Sequence, residues 1–256
     1  MTISWSAHLS MLFTELPPLE RPAAARDAGF PAVETWWPGS DADAWAAAVR
    51  GAGLRVALLN SNGGDLAAGD RGFLNRAELH DRELDRIGEA VALAAGLGCP
   101  YVNVLAGRLT GGEPENRQRD AAAGVLREAA PRAAAQGVVL VVEALNALDV
   151  PEYLLPTAGD ARRFLESIGS DSVRLLYDAY HAACSGSDPI VEAPELVDVI
   201  GHVQYADHPG RGAPGTGTID LGRFADALRD AGYEGDIGLE FDPRGNTNAA
   251  LASLPR

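Results

Sequence analysis

The sequence predicts an α/β fold, a (β/α)8 TIM barrel, as a single domain spanning residues 1–256. Three observations lead there. A short β-type run, a polar loop and an Ala- and Arg-rich helical run follow one another from end to end. Eight such units fit in 256 residues, close to the roughly 250 that these barrels occupy as one unit. No linker, low-complexity tract or shift of composition divides the chain. An open doubly wound sheet is the alternative for alternating strands and helices, and eight successive units favour the closed form.

The extended runs are Ile3 to His8, Ala32 to Trp36, Arg55 to Asn60, Tyr101 to Leu105, Val138 to Glu143, Val173 to Asp178, Ile200 to Ala206 and Ile237 to Phe241. Helical runs separate them. In Asp81 to Leu97, the residues Leu84, Ile87, Val91 and Ala94 recur on one helical face. Thr157 with Asp160 three residues on reads as a capping box, and Asp220 as the N-cap of a helix through Leu228. Gly29, Gly53, Gly98, Gly137, Gly169 and Gly232 each stand where a helix should close before a strand. Pro131 falls inside the helical stretch after Glu115 and should kink or split it.

Composition excludes whole classes of chemistry. The chain is 46% apolar and 22% charged, as in an ordinary soluble globule. All 21 basic residues are arginine, and there is no lysine. Schiff-base aldolases and lysine-anchored pyridoxal phosphate enzymes are thereby excluded, as is a Walker-type phosphate loop. A net charge of −15 argues against a broad nucleic-acid surface or an anionic membrane patch. Cys99 and Cys184 form neither a disulfide framework nor a zinc spacing, which fits a reducing cytoplasm. No basic stretch followed by an apolar core reads as a secretory signal, and no apolar run nears the roughly 18 residues of a membrane helix.

In such a barrel the chemistry lies at the C-terminal ends of the strands. Four consecutive predicted strands there carry an oxygen-bearing side chain: Glu143, Asp178, Gln204 and Glu240. Side chains alternate across a strand, so Val139, Val141 and Glu143 share a face, as do His202 and Gln204. Three carboxylates and an amide then converge at one mouth. Like charges cannot sit together uncompensated, and an all-oxygen set points to a hard divalent ion, Mg²⁺ or Mn²⁺. Each residue alone reads equally well as an ordinary polar group ending a strand.

Nearby segments add reach. His181 stands three residues past Asp178, within range of a substrate hydroxyl or in a structural hydrogen bond. Arg211, in the loop after Gln204, is a candidate for a substrate carboxylate, since no lysine competes for that task. Gly210 to Gly215 matches G-x-G-x-x-G, but Pro214 and the glycines around it open no helix, so it is not a dinucleotide fingerprint. Asn62 to Gly72 is a glycine-rich loop, either a mobile lid or a plain surface loop. Trp36 and Trp37 end the second strand and either wall a pocket or pack, with packing the favoured reading.

At full length these segments resemble the hydroxypyruvate isomerases of the xylose isomerase-like TIM barrel superfamily. The resemblance is carried in order by Ser6 to Phe13, Glu143 to Asn146 with Asp149 and Pro151, Asp178 to His181, Gly201 to Gln204, Pro209 to Arg211, Pro214 to Gly217, and Gly232 to Glu240. It implies that Glu143, Asp178, Gln204 and Glu240 hold a divalent metal, with Glu143 and Glu240 as the catalytic pair that moves protons. It further implies that His181 and Arg211 contact substrate, with His8 in the opening segment beside them. The chain departs from the family at His8, where asparagine is usual. It also departs at Gly212-Ala213 and Thr218, where the family carries acidic groups, and these changes bear on substrate identity.

The implied activity is aldose–ketose-type isomerisation of a small hydroxy-keto acid through an enediolate, with hydroxypyruvate and tartronate semialdehyde as the family's typical pair. A 2-oxo-tetronate isomerase or a ketose 3-epimerase would use the same site. A non-catalytic metal-binding barrel is the reading from another class. The expected partner is a small keto acid or sugar, not nucleic acid or membrane, and a homo-oligomer is left open.

Overall fold

The protein is described from a computed structural model covering residues 4–254. The strands are β1 (Ser4–His8), β2 (Ala32–Thr35), β3 (Arg55–Asn60), β4 (Tyr101–Asn103), β5 (Val139–Glu143), β6 (Val173–Asp178), β7 (Ile200–Tyr205) and β8 (Asp236–Leu239). Each pairs in parallel with its sequence neighbours, and β1 closes the ring against β8. The helices outside the ring are α1 (Arg21–Asp27), α2 (Ala42–Ala52), α3 (His80–Leu97), α4 (Glu115–Ala134), α5 (Ala158–Ile168), α6 (Ala179–Cys184), α7 (Pro189–Glu195) and α8 (Leu221–Asp230), with a short α9 (Thr247–Ala250) after β8. Ile3, expected to open β1, lies outside the described residues. No helix among the described residues is long and apolar enough to cross a membrane.

Local signals read from the chain hold for the caps. Thr157 Oγ1 accepts the backbone N–H of Asp160, and Asp220 accepts that of Arg223. In α3, Ile87, Val91 and Ala94 are buried and Leu84 packs beside them. Gly53, Gly98 and Gly169 cap their helices directly, whereas the helices before Gly29, Gly137 and Gly232 end on alanine with the glycine just beyond. Pro131 does not split its helix, because α4 runs through to Ala134. Proline has no N–H to give the carbonyl four residues back, and α4 closes within one turn of it.

Inside the ring, Leu58, Val141 and Leu176 form a buried apolar layer, with Tyr101 packed against it. This layer is separate from the larger core between strands and helices. The two-residue strand period then dictates what stands above it. Two residues beyond Leu58, Tyr101, Val141 and Leu176 come Asn60, Asn103, Glu143 and Asp178, all buried and polar. The plug closes the barrel below and sets a polar ring at its C-terminal mouth.

Candidate active site

Each functional side chain is fixed by local structure before any long-range contact is made. Asp178 ends β6 and caps α6, its Oδ1 accepting the N–H groups of Tyr180 at 2.7 Å and His181 at 3.3 Å. Its Oδ2 is buried and has no hydrogen-bond partner. Glu143 ends β5, and its Oε2 accepts a bond from Asn103 Nδ2 at 3.0 Å. Glu240 follows β8, where Oε1 accepts Trp36 Nε1 at 3.2 Å and Oε2 meets Arg211 Nη2 at 3.1 Å.

These surroundings drive the two glutamates apart. Burial, then the charges of Glu240 and Asp178, push the Glu143 carboxyl well above the usual range. Burial acts on Glu240 in the same direction, but Arg211, His8, His181 and the Trp36 N–H outweigh it and hold Glu240 below that range. Two neighbouring carboxyls with opposite proton affinities are the arrangement that divides acid from base work.

His181 sits 4.0 Å from both Glu143 Oε1 and Asp178 Oδ2. Burial lowers its proton affinity, so the ring is neutral near pH 7. Its Nδ1 accepts the backbone N–H of Asn146 at 3.2 Å, which leaves the proton on Nε2, facing the carboxylates without a partner. Asn146 is itself held by Asp149, which also takes the Tyr180 hydroxyl at 2.8 Å.

Arg211 is presented by a tightly folded loop. The buried Asp207 carboxylate accepts backbone N–H groups of His208, Gly217 and Ile219 at 2.9, 2.7 and 2.9 Å. Arg211 itself has a left-handed backbone, φ 51°, and lies over the Tyr180 ring at 5.6 Å. Burial works against its charge, but Glu240, Asp178 and Glu143 raise its proton affinity above the ordinary arginine value. Gly212 leaves the space that Thr216 Oγ1 fills, and Thr218 Oγ1 donates to His208 O at 2.9 Å.

A carboxylate outside the strand-end pattern lies one layer deeper. Glu34 is fully buried and accepts from Ser6, from His202 Nε2 at 2.8 Å and from Gln204 Nε2 at 2.9 Å. With its amide nitrogen engaged, Gln204 keeps a buried Oε1 without a partner. Gly238 makes room for this network, since a Cβ there would overlap the Glu34 carboxylate. The available signal was a charged residue inside an otherwise apolar barrel strand.

Of the two readings of Trp36, packing is the favoured one, and the structure bears out the other, a pocket wall. Trp36 lines the mouth cavity, bonds Glu240 and meets His8 edge-on at 5.7 Å. Trp37 does pack against the core. His8 is fully buried, 3.6 Å from Glu240 Oε1, behind the cavity wall. The cavity has a volume of about 340 Å³, and Glu143, Glu240, His181, Arg211, Trp36 and Arg71 all face it. Cys99 is a buried thiol pushed up to about 12, chiefly by burial, so it is no nucleophile.

A divalent ion fits these residues. Asp178 and Gln204 are partners on adjoining strands, and each offers a buried oxygen with nothing to satisfy it. Glu143, Asp178 and His181 bring donor atoms within 4.8 Å of one another. The Nε2 proton suits His181 to donating toward an oxygen, whereas ligation would require that nitrogen bare. Oxygen donors from Glu143, Asp178, Gln204 and Glu240 suit a hard cation.

The chain matches the profile of the xylose isomerase-like TIM barrel family over residues 22–256. It is 41% identical to a protein of Streptomyces coelicolor named putative hydroxypyruvate isomerase, covering 96% of this chain and 92% of that one. It is 35% identical to a 2-oxo-tetronate isomerase of Cupriavidus necator, over 98% and 96% of the two chains. With the hydroxypyruvate isomerase of Escherichia coli the identity is 30%, over 97% of each. Among solved structures, one described as an AP endonuclease, family 2, from Brucella melitensis superposes with a TM-score of 0.93. Its identity is 30%, over 98% of this chain and 97% of that one.

Proposed function

The chain belongs to the xylose isomerase-like TIM barrel family, and we propose that it is a metal-dependent isomerase of a small hydroxy-keto acid, with hydroxypyruvate and tartronate semialdehyde as its substrate pair. The observation that carries this reading is the pair Glu143 and Glu240, two buried carboxyls facing one small cavity together with His181 and Arg211.

Glu143, Asp178, Gln204 and Glu240 would hold the ion. When bound, a divalent cation supplies Lewis-acid polarisation of the substrate's carbonyl and hydroxyl oxygens. The protein does the rest. Glu240, ionised before substrate arrives, is fitted to remove the C3 proton of hydroxypyruvate. Glu143 is then the group that returns a proton at C2 of the enediolate. His181 donates from Nε2 to a substrate oxygen and keeps its ring fixed through Asn146. Arg211 contacts substrate oxygens at the reacting end while holding Glu240 ionised. His8, behind Glu240 and Trp36, supports that carboxylate on its far side.

Endonuclease chemistry, the activity for which the similar Brucella melitensis protein is named, is disfavoured by a charge of −15 with no lysine. A cytoplasmic location is proposed on the same compositional grounds, with two unpaired cysteines. Purified protein given Mn²⁺ or Mg²⁺ should convert hydroxypyruvate to tartronate semialdehyde and lose that turnover with a chelator. Turnover of ketohexoses in preference to small keto acids would move the assignment to a 3-epimerase.

A further inference from the structure

The cavity is lined by two guanidinium groups, and among the described residues only Arg211 has an ion-pair partner. Arg211 stands 3.1 Å from Glu240 and 4.0 Å from Asp178. Arg71 makes no ion pair among the described residues. Its Nη1 donates to the backbone oxygens of Leu66 at 3.0 Å and Asp70 at 2.6 Å, which leaves Nε and Nη2 for another partner. We propose that Arg71 recognises the substrate's carboxylate, and that this residue sets the preference for keto acids over neutral sugars. The inference rests on the keto-acid reading above and adds the residue that enforces it.

The mount of Arg71 supports the role. Its loop is fastened by Gly72 N to Gly63 O at 2.8 Å, by Asp70 N to Asp65 O at 3.0 Å and by Arg108 Nε to Gly69 O at 3.1 Å. Gly72 has φ +81°, and a Cβ there would overlap Leu105 O, so the backbone lies directly on the chain leaving β4. Beyond it, Phe73 is overlaid by the guanidinium groups of Arg76, Arg82 and Arg86 at 5.7, 4.9 and 5.4 Å. The glycine-rich segment is thus a braced wall of the cavity, which holds a charged side chain in place at low entropic cost.

The electrostatics agree with the geometry. Burial, then the like charges of Arg108 and Arg211, lower the proton affinity of Arg71. A half-buried cation in that field gains by facing an anion, and a carboxylate matches the guanidinium fork. Arg211 spends Nη2 on Glu240 and keeps a buried Nε without a partner for substrate oxygens at the reacting end, so the carboxylate falls to Arg71.

The test compares wild type with Arg71→Gln and Arg71→Lys, using Mn²⁺-loaded protein. Kinetics with hydroxypyruvate are paired with calorimetric binding of glycerate and of neutral glycerol as unreactive probes. Arg108→Gln controls for loop loosening, because it frees Gly69 and leaves the cavity cation in place. Arg71→Gln should raise the hydroxypyruvate KM and weaken glycerate binding by about 100-fold, with kcat little changed, as loss of a charged hydrogen-bond pair predicts. Arg71→Lys should recover part of both, and Arg108→Gln should keep acid preference. Unchanged KM and glycerate affinity in Arg71→Gln, or a wild type that binds glycerate no better than glycerol, overturns the inference. Failure of wild type to turn over hydroxypyruvate instead overturns the isomerase reading, and glycerate binding still decides the role of Arg71.

Discussion

Asp178 and Gln204 show how little freedom the mouth residues retain. One oxygen of Asp178 caps a helix, and one nitrogen of Gln204 is spent on Glu34, so each has a single atom left for chemistry. Outer residues that orient a ligand typically change metal affinity by about 10- to 100-fold. Glu34→Gln should therefore weaken Mn²⁺ binding within that range, and calorimetry on Glu34→Gln, Gln204→Ala and the double variant checks the route. If Glu34 acts through Gln204, it adds nothing once Gln204 is gone, whereas additive losses would contradict that route. Gly238→Ala forces a methyl into the Glu34 carboxylate, with an expected cost of about 2 kcal/mol from overpacking, readable by denaturant unfolding. Glu143, Asp178 and Glu240 were legible in the sequence because each follows directly on an apolar β-run. Glu34 and Arg71 were not, and Trp36 only as the less favoured of two readings, because their partners lie on distant strands or loops that only barrel closure brings together.

Among the elements, the strand ends set the polar ring, and the loops bring Arg71 and Arg211 to the cavity above it. The loop from Asp207 to Ile219 is built on one buried carboxylate that ties three backbone N–H groups. Asp207→Ala leaves those groups unpaired, so Arg211 should lose its aim and Glu240 its cation. The expected outcome is a fall in kcat of about 100-fold, the scale of losing a preorganised electrostatic partner. Far-UV circular dichroism should be unchanged, and a wild-type kcat would show that Arg211 needs no such mount. The helix signals were largely legible since they are local, as Thr157 and Asp220 show. Pro131 misled because its consequence depends on where α4 ends, a boundary set by packing and not by the proline.

For the whole molecule, the barrel separates stability from chemistry. Asp236 and Arg55 open β8 and β3 at the end opposite the mouth, joined by two bonds of 3.0 Å. Burial raises the Asp236 carboxyl, but Arg55 and Ser4 outweigh it and hold its proton affinity below the ordinary value. A carboxyl depressed in the folded state contributes stability above its unfolded value of about 3.9, lost as pH falls through the depressed one. Asp236→Asn should thus lower the melting temperature by about 2 °C at pH 7, a small effect because Arg55 is largely exposed, and the gap should close in acid. Scans at pH 7 and below pH 4 check the sign. Metal should act from the other end: Mn²⁺ at a hundredfold its Kd should stabilise the fold by about 2.7 kcal/mol, reversed by chelator.

In the proposed mechanism Glu143 and Glu240 move a proton between adjacent carbons of a small keto acid. Proton NMR of hydroxypyruvate in D2O, with Mg²⁺-loaded wild type, Glu143→Gln and Glu240→Gln, follows that proton. Wild type should wash deuterium into C3 and form tartronate semialdehyde. Glu240→Gln should lose the C3 exchange, and neither variant should form product. Exchange and product at the wild-type rate in either variant, or neither in the loaded wild type, would contradict the assignment.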